Sequence, residues 1–344
     1  MPLSDPTLEQ LGWKPVFSEQ VSAEEARSVL PVRVLSVHRG MVTVSGGEGE
    51  ESISSRMPER GDAENRPTVG DWLLIDPDTR GIVRILTRTS LFKRPTPHDD
   101  RRIQLIAANV DTLFIVTSCD HDFNVARIER YLVLTREVGV RPVVILTKAD
   151  TADAPGAFVE AARALQSGLQ VELVNGRDSV SAAALERYCS HGETVALVGS
   201  SGVGKSTLVN TLRRSDDIAT QAVREDDGKG RHTTTVREMH RLGDGGDGGG
   251  WLVDTPGMRE LQMSEVATGV TEVFDDVTEV TRDCRFSNCL HGDEPGCAIR
   301  LAIAYGDLDP ARVERWRKLA HEDGVNSGAA AVRRARRGTP GGRR

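Results

Sequence analysis

Long apolar runs are missing from this chain of 344 residues. The longest, PVVIL and LFIV, fall far short of the roughly 20 apolar residues that cross a bilayer, so no membrane partner is expected. The start, MPLSDPTLEQ, has no basic stretch followed by an apolar core. No export signal is read there, and a cytoplasmic protein is expected. A positive net charge is lacking too, and the value of -7 argues against indiscriminate binding to nucleic acid. The charge is uneven, however: VRRARRGTPGGRR carries six arginines and no acid. Composition leaves open whether that segment is a solvated tail or an arm that finds phosphate. Cysteines are few, five in all, and disulfides are rare in a cytoplasmic chain. Three of them, Cys284, Cys289 and Cys297, fall within fourteen residues, which suggests metal, whereas Cys119 and Cys189 read as buried thiols.

What is present has a clear order. Residues 1–28 are polar and expected to be partly ordered. From Pro31 to about Ser90, short alternating segments (VRVLSVH, MVTVSG, DWLLID, GIVRILT) are punctuated by glycine, proline and acids, as in a small OB-like β-barrel assigned to 29–92. Such a barrel binds nucleic acid or sugar, or serves as a spacer. After KRPTPHDDRR, read as a linker, strand and helix patterns alternate through VDTLFIVTS, RPVVILT, QVELV, TVALVG, TVREMHRL and WLVDTPG. This predicts a doubly wound α/β domain over 93–268. Helix signals with a Cys/His cluster follow over 269–330, and a basic disordered tail is expected over 331–344. No internal repeat is found.

LTKAD, Leu146 to Asp150, resembles the guanine-reading element of GTP-binding proteins, yet it precedes the phosphate loop that it normally follows. That loop comprises Gly199, Ser200, Ser201, Gly202, Val203, Gly204, Lys205, Ser206 and Thr207, between a strand and a helix. Small residues let backbone N–H groups converge on phosphate oxygens, Lys205 faces the outer phosphates and Ser206 offers a hydroxyl to magnesium. About fifty residues on, WLVDTPG delivers Asp254 for a magnesium-bound water and Gly257 for the terminal phosphate. Asp150 separates GTP from ATP: its carboxylate accepts from guanine N1–H and the 2-amino group, donors that adenine lacks. The Lys148 stem lies along the base, with Thr147 and Ala149 completing the element. Both motifs hold if the domain is circularly permuted, its base-reading half first and its phosphate-reading half last.

The usual residues are absent at three places. Thr147 stands where asparagine is common, and its hydroxyl can do part of what the amide does. Asn175 and Gly176 replace a Ser-Ala pair that supports the guanine oxygen. Met258 replaces the glutamine that orients the attacking water. Downstream, Cys284, Cys289, His291 and Cys297 form C-x4-C-x-H-x5-C, which suits one tetrahedral structural zinc with no open position. In the following DLDPARVERWRKLAHE, the residues Arg312, Arg315, Arg317 and Lys318 are expected to form a basic surface.

The order TKAD, GSSGVGKST, GRHTT, DTPG, behind a barrel and ahead of a Cys/His cluster, resembles the RsgA family. These are circularly permuted GTPases that assist small ribosomal subunit biogenesis. The likeness runs from about Pro31 to Lys318 and includes AANVD at Ala107 to Asp111. It implies an α/β protein: an OB-like barrel, a permuted P-loop GTPase domain and a mainly helical zinc-binding module. It implies hydrolysis of GTP, with Mg2+, and a small-subunit partner with its 16S rRNA. By the same likeness His232 lies over the γ-phosphate and acts in hydrolysis. One of Thr233, Thr234 and Thr235, with Thr234 preferred, completes the magnesium shell. A monomer is expected. The rival reading is a nucleotide-gated RNA-binding protein whose hydrolysis is incidental.

Overall fold

Short runs of β-branched and aliphatic residues form the strands, and the order in which those strands pair sets the two nucleotide motifs side by side. The computed structural model describes residues 6–46, 49–59, 62, 64–96, 99–213, 237–242, 249–254 and 267–337. Contacts divide the chain into two units, Met1–Asn124 with Val138–Leu261, and Val125–Glu137 with Gln262–Arg344.

The first unit opens with a short helix α1 (Pro15–Ser18), then β1 (Leu30–His38), β2 (Met41–Ser45), β3 (Glu50–Ser54), β4 (Trp72–Ile75) and β5 (Ile82–Ile85). These five pair in the order β3-β2-β1-β4-β5, all antiparallel. Alternation turns Val32, Val34, Val42, Val44, Ile53, Leu73, Ile75 and Ile82 into one shared core. Next come β6 (Leu91–Thr96) and β7 (Asp99–Ala108). These two pair with each other, so the stretch read as a linker is a two-stranded hairpin. Proline and charge suggested a linker, but Pro95 sits at a break in register, where a strand tolerates proline.

The chain continues through β8 (Thr112–Ser118), α2 (Val125–Val138), β9 (Arg141–Thr147), α3 (Pro155–Arg163), β10 (Gln170–Leu173) and α4 (Ser179–Ala182). It then forms β11 (Thr194–Val198), α5 (Lys205–Arg213), β12 (Arg237–Arg241) and β13 (Trp251–Asp254). The sheet runs β10-β9-β8-β11-β13-β12-β1-β2-β3, and its first five strands are parallel. Every residue of β8 is buried, the mark of a central parallel strand covered on both faces. Antiparallel β12 joins the parallel half to β1 through Ser36 opposite Glu238, so one sheet runs on into the barrel strands.

The polar segment before β1 is anchored at this seam. Leu11 and Phe17 are buried, Trp13 meets Trp72 edge-on at 4.7 Å, and the Trp251 indole donates to the Gln10 carbonyl at 2.7 Å. Arg33, fully buried, donates to the Leu11 carbonyl and, at 2.7 Å, to the Thr194 hydroxyl. Burial pulls its guanidinium down to about 10 against the opposing fields of Asp111 and Asp71.

The second unit contains α2 with α6 (Ala267–Val273), α7 (Asp275–Thr281), α8 (Ala298–Tyr305) and α9 (Pro310–Arg337). Its core includes Ile128, Leu132, Val133, Val270, Val273, Phe274, Val277, Ile299 and Val313. Gly269 brings α6 onto α2, because a Cβ there would lie 2.2 Å from the Val133 carbonyl oxygen. At the centre Glu129, fully buried, accepts from Arg315 at 2.6 Å and Arg312 at 3.1 Å. Burial raises the Glu129 carboxyl above its ordinary value, and the two guanidinia oppose that shift.

Candidate functional site

The guanine-like element and the phosphate loop leave the carboxyl ends of β9 and β11, with β8 between them. Open α/β sheets bind ligands at that edge. Thr147 ends β9, buried, and its hydroxyl lies 2.6 Å from the Val203 carbonyl of the phosphate loop and 3.2 Å from the Thr117 carbonyl. Threonine therefore braces the phosphate loop with one hydroxyl where an asparagine amide is common. Lys148 turns the chain in the left-handed region at φ 58°, leading into a single 3-10 turn, Ala149–Thr151, on which Asp150 is exposed.

Within the phosphate loop Gly199 adopts φ 144°, and a Cβ there would lie 2.1 Å from the Val116 carbonyl oxygen. Only glycine lets the loop pack this closely on β8. Gly202 and Gly204 also have positive φ, 81° and 93°. Ser200, Ser201, Gly202, Val203 and Gly204 lead into α5, whose first turn holds Lys205, Ser206 and Thr207. Lys205 donates its ammonium protons to the carbonyls of Gly199, at 2.8 Å, and Ser200. Parallel pairing of β11 with β13, Ala196 opposite Val253, sets Asp254 at the same sheet edge. Gly257, His232, Thr234 and Met258 lie outside the described residues.

Two further features were invisible in the sequence reading. In the loop after β8, the Asp120 carboxylate accepts from Lys148 at 2.9 Å, and Asp122 accepts from the Ser200 hydroxyl at 2.5 Å. A pattern search for nucleotide motifs carries no signal for either, since both are single acids after a strand. The replacements at the second base loop are tied down as well. The Asn175 backbone N–H donates to the Ser181 hydroxyl at 2.9 Å, and Thr211 of α5 donates to the Gly176 carbonyl at 2.6 Å. AANVD has structural partners here: the Asn109 amide donates to the Gly70 carbonyl at 2.9 Å, and Asp111 accepts from Lys14 at 2.5 Å and the Thr194 amide at 2.8 Å.

In the second unit, ligand atoms of Cys284, Cys289, His291 and Cys297 all lie within 4.8 Å of one another. His291, at φ 59°, points Nδ1 at the Cys284 and Cys297 sulfurs, 3.4 and 3.9 Å away. Tetrahedral zinc bonds place sulfur and nitrogen about 3.6 Å apart, so the cluster fits that ion. Burial, then the nearby Arg317 charge, lowers the His291 pKa, which favours the neutral imidazole a metal needs. The Ala298 amide approaches the Cys284 sulfur at 3.4 Å, and Glu294 accepts from the Leu290 and Gly292 amides. Glu294 thus shapes the loop without joining the cluster.

The expected basic surface on α9 is different in the structure. Arg312 and Arg315 are turned inward onto Glu129, Arg312 also binds Asp276, and Arg317 donates to the His291 carbonyl. The helical pattern located these residues, but the buried acid that neutralises two of them sits on α2, far away in sequence. Lys318 stays exposed beside Glu314.

Fold and site together define a circularly permuted P-loop GTPase: strand β11 with its phosphate loop comes late in the chain but lies centrally in the sheet. The RsgA GTPase family matches residues 85–264. The small ribosomal subunit biogenesis GTPase RsgA of Mesorhizobium japonicum is 47% identical over 328 residues, 94% of this chain and 92% of that protein. RsgA 2 of Vibrio parahaemolyticus is 43% identical over 330 residues, 95% of this chain and 89% of that protein. The crystal structure of YjeQ from Thermotoga maritima aligns with a TM-score of 0.60 at 27% identity, covering 86% of this chain and 98% of YjeQ. YloQ, titled a circularly permuted GTPase, shares the fold with a TM-score of 0.57 at 22% identity, over 88% of this chain and 97% of its own. The chain belongs to the RsgA GTPase family and is a GTP-hydrolysing enzyme.

Proposed function

We propose that this protein is a GTPase assembly factor acting late in maturation of the small ribosomal subunit, in contact with 16S rRNA and stimulated by the particle. The observation that carries the reading is the Thr147 hydroxyl on the Val203 carbonyl, which joins the base-reading and phosphate-reading halves into one site. Asp150 accepts from guanine N1–H and the 2-amino group, while Thr147, Lys148 and Ala149 frame the base. The loop from Gly199 to Thr207 wraps the phosphates with backbone N–H groups, a ready anion site at a helix N-terminus. Lys205 exchanges its two loop carbonyls for phosphate oxygens. Ser206, Asp254 and Thr234 would hold Mg2+, which offsets phosphate charge when bound with GTP. Gly257 presents its amide to the terminal phosphate and His232 orients the attacking water.

Cys284, Cys289, His291 and Cys297 would hold one structural Zn2+, which supplies a crosslink for a loop-rich segment. Relatives named for small-subunit biogenesis support the ribosomal role. No described helix is long and apolar enough to cross a membrane. The reading is a cytoplasmic monomer whose domains are 1–28, 29–92, 93–268, 269–330 and 331–344, with α9 running across the last boundary to Arg337.

Single-turnover GTP hydrolysis, measured with and without small subunits, tests the proposal. Stimulation by subunits and a larger loss of turnover than of affinity in His232→Ala are expected. No stimulation would leave the rival reading, a nucleotide-gated RNA-binding protein.

A further inference from the structure

We propose that Asp120 is a positioning residue for guanine, holding Lys148 against the face of the base. The inference rests on the guanine reading above. β8 lies between β9 and β11 in the sheet, so the loop at its carboxyl end falls between the base-reading turn and the phosphate loop. One carboxylate organises that loop. Asp120 Oδ1 accepts from the Ser118 hydroxyl at 2.7 Å and from the Asp122 amide at 2.9 Å. Its other oxygen, Oδ2, accepts from Lys148 Nζ at 2.9 Å. The acceptor is therefore fixed by its own loop before it engages the lysine. Although burial pushes the Asp120 carboxyl up, hydrogen bonds from Lys148, Ser118 and the Asp122 amide bring it down to about 2. It is ionised at neutral pH.

Lysine needs such a partner for this task. Its four-carbon stem samples many rotamers, and ordering it over a base costs entropy at each binding event. Here the backbone end is fixed by the left-handed turn at φ 58°, and the ammonium end by Asp120. With both ends held, the stem is an apolar rod of set direction. The pairing also neutralises the ammonium, so the lysine has no need to reach for phosphate. The same loop reaches the other half of the site through Asp122, which accepts from Ser200 of the phosphate loop. The competing view is a partly exposed ion pair of little consequence, as many are. The two views differ in coupling: a positioning acid has no effect once its lysine is gone.

The test uses the full chain with Asp120→Ala, Asp120→Asn, Lys148→Ala and the double variant Asp120→Ala/Lys148→Ala. Dissociation constants for GDP and inhibition by ATP are measured beside KM and kcat for GTP. We expect Asp120→Ala to weaken GDP about fivefold and Asp120→Asn about twofold, since a neutral oxygen still accepts. Lys148→Ala should weaken it about tenfold and the double variant no further. The loss should appear in KM, with kcat changing less than about twofold. Multiplying losses in the double variant, or a fall in kcat at constant KM, would overturn the proposal. Should Asp120→Ala not fold, Asp120→Asn with Lys148→Ala completes the same cycle. A wild-type protein that prefers no guanosine nucleotide defeats the guanine reading itself. A wild type that prefers GDP, with Asp120→Ala equal to it, defeats only this inference.

Discussion

The two units each have an apolar core but differ in the polar groups that accompany it. In the first, side chains of the parallel strands pack with helix residues, and Phe114, Val143, Val195 and Leu208 share one buried cluster. In the second, helices α2 and α9 enclose a buried acid clamped by two arginines, and a loop is gathered by three sulfurs and an imidazole. Apolar packing is non-directional and tolerates volume-conserving change. A buried ion cluster and a thiolate cluster depend on every member being present. The nucleotide motifs sit in the first unit, on the rigid edge of a parallel sheet. A site that must hold a flexible polyphosphate benefits from that rigidity.

Removing metal should break the contrast most strongly. Zinc binding contributes on the order of 10 kcal/mol to folding of small zinc modules at neutral pH. A strong chelator is expected to release one equivalent of zinc and open 284–297 to protease, while GDP affinity stays within about twofold. Equal loss of GDP binding would show that the units do not stand apart in this way. Next in size, Phe114→Ala in the first unit should cost about 4 kcal/mol as a cavity, and Glu129→Ala in the second about 3 kcal/mol, because Arg315 loses its acid while Arg312 keeps Asp276. Denaturant unfolding measures both. Adding salt should recover part of the second loss and none of the first, because mobile anions reach an unpaired guanidinium once the clamp opens.

A smaller effect sharpens the comparison inside the first unit. Thr147→Val deletes the hydroxyl that reaches Val203 and should weaken GDP by about fivefold, near 1 kcal/mol. Thr147→Asn restores the commoner amide and should stay within about twofold of wild type. Calorimetric titration decides this, and equal losses in the two variants would remove the bracing role. A further effect is in pH. Asp120 has its folded pKa lowered to about 2. Its contribution is fully present above the unfolded aspartate value of about 3.9 and disappears as pH falls toward 2. The stability difference between wild type and Asp120→Asn should be flat above about pH 4 and shrink below it.

Much of this was legible along the chain because its signals are local. The phosphate loop is a contiguous run whose glycines are required by nearby backbone, as Gly199 against Val116 illustrates. The Cys/His spacing likewise lies within one short loop, and the structure gathers all four side chains. The hairpin formed by β6 and β7 has the sequence of a linker, because proline and charge are ambiguous punctuation when pairing partners are unknown. The arginines of α9 have the pattern of a basic surface but meet a buried acid, because helical periodicity reports a face and says nothing of what that face meets.

By itself the sequence determined which chemical groups exist and in which short loops they occur: the phosphate cradle, the guanine-like turn with its threonine, and the thiol–imidazole set. Tertiary structure alone decided that Thr147 reaches Val203, that Asp120 holds Lys148, and that Glu129 absorbs Arg312 and Arg315. The physical reason is sequence distance. A contact within one loop is dictated by local backbone geometry, whereas a contact between distant segments exists only once strand order and helix packing have placed two surfaces together.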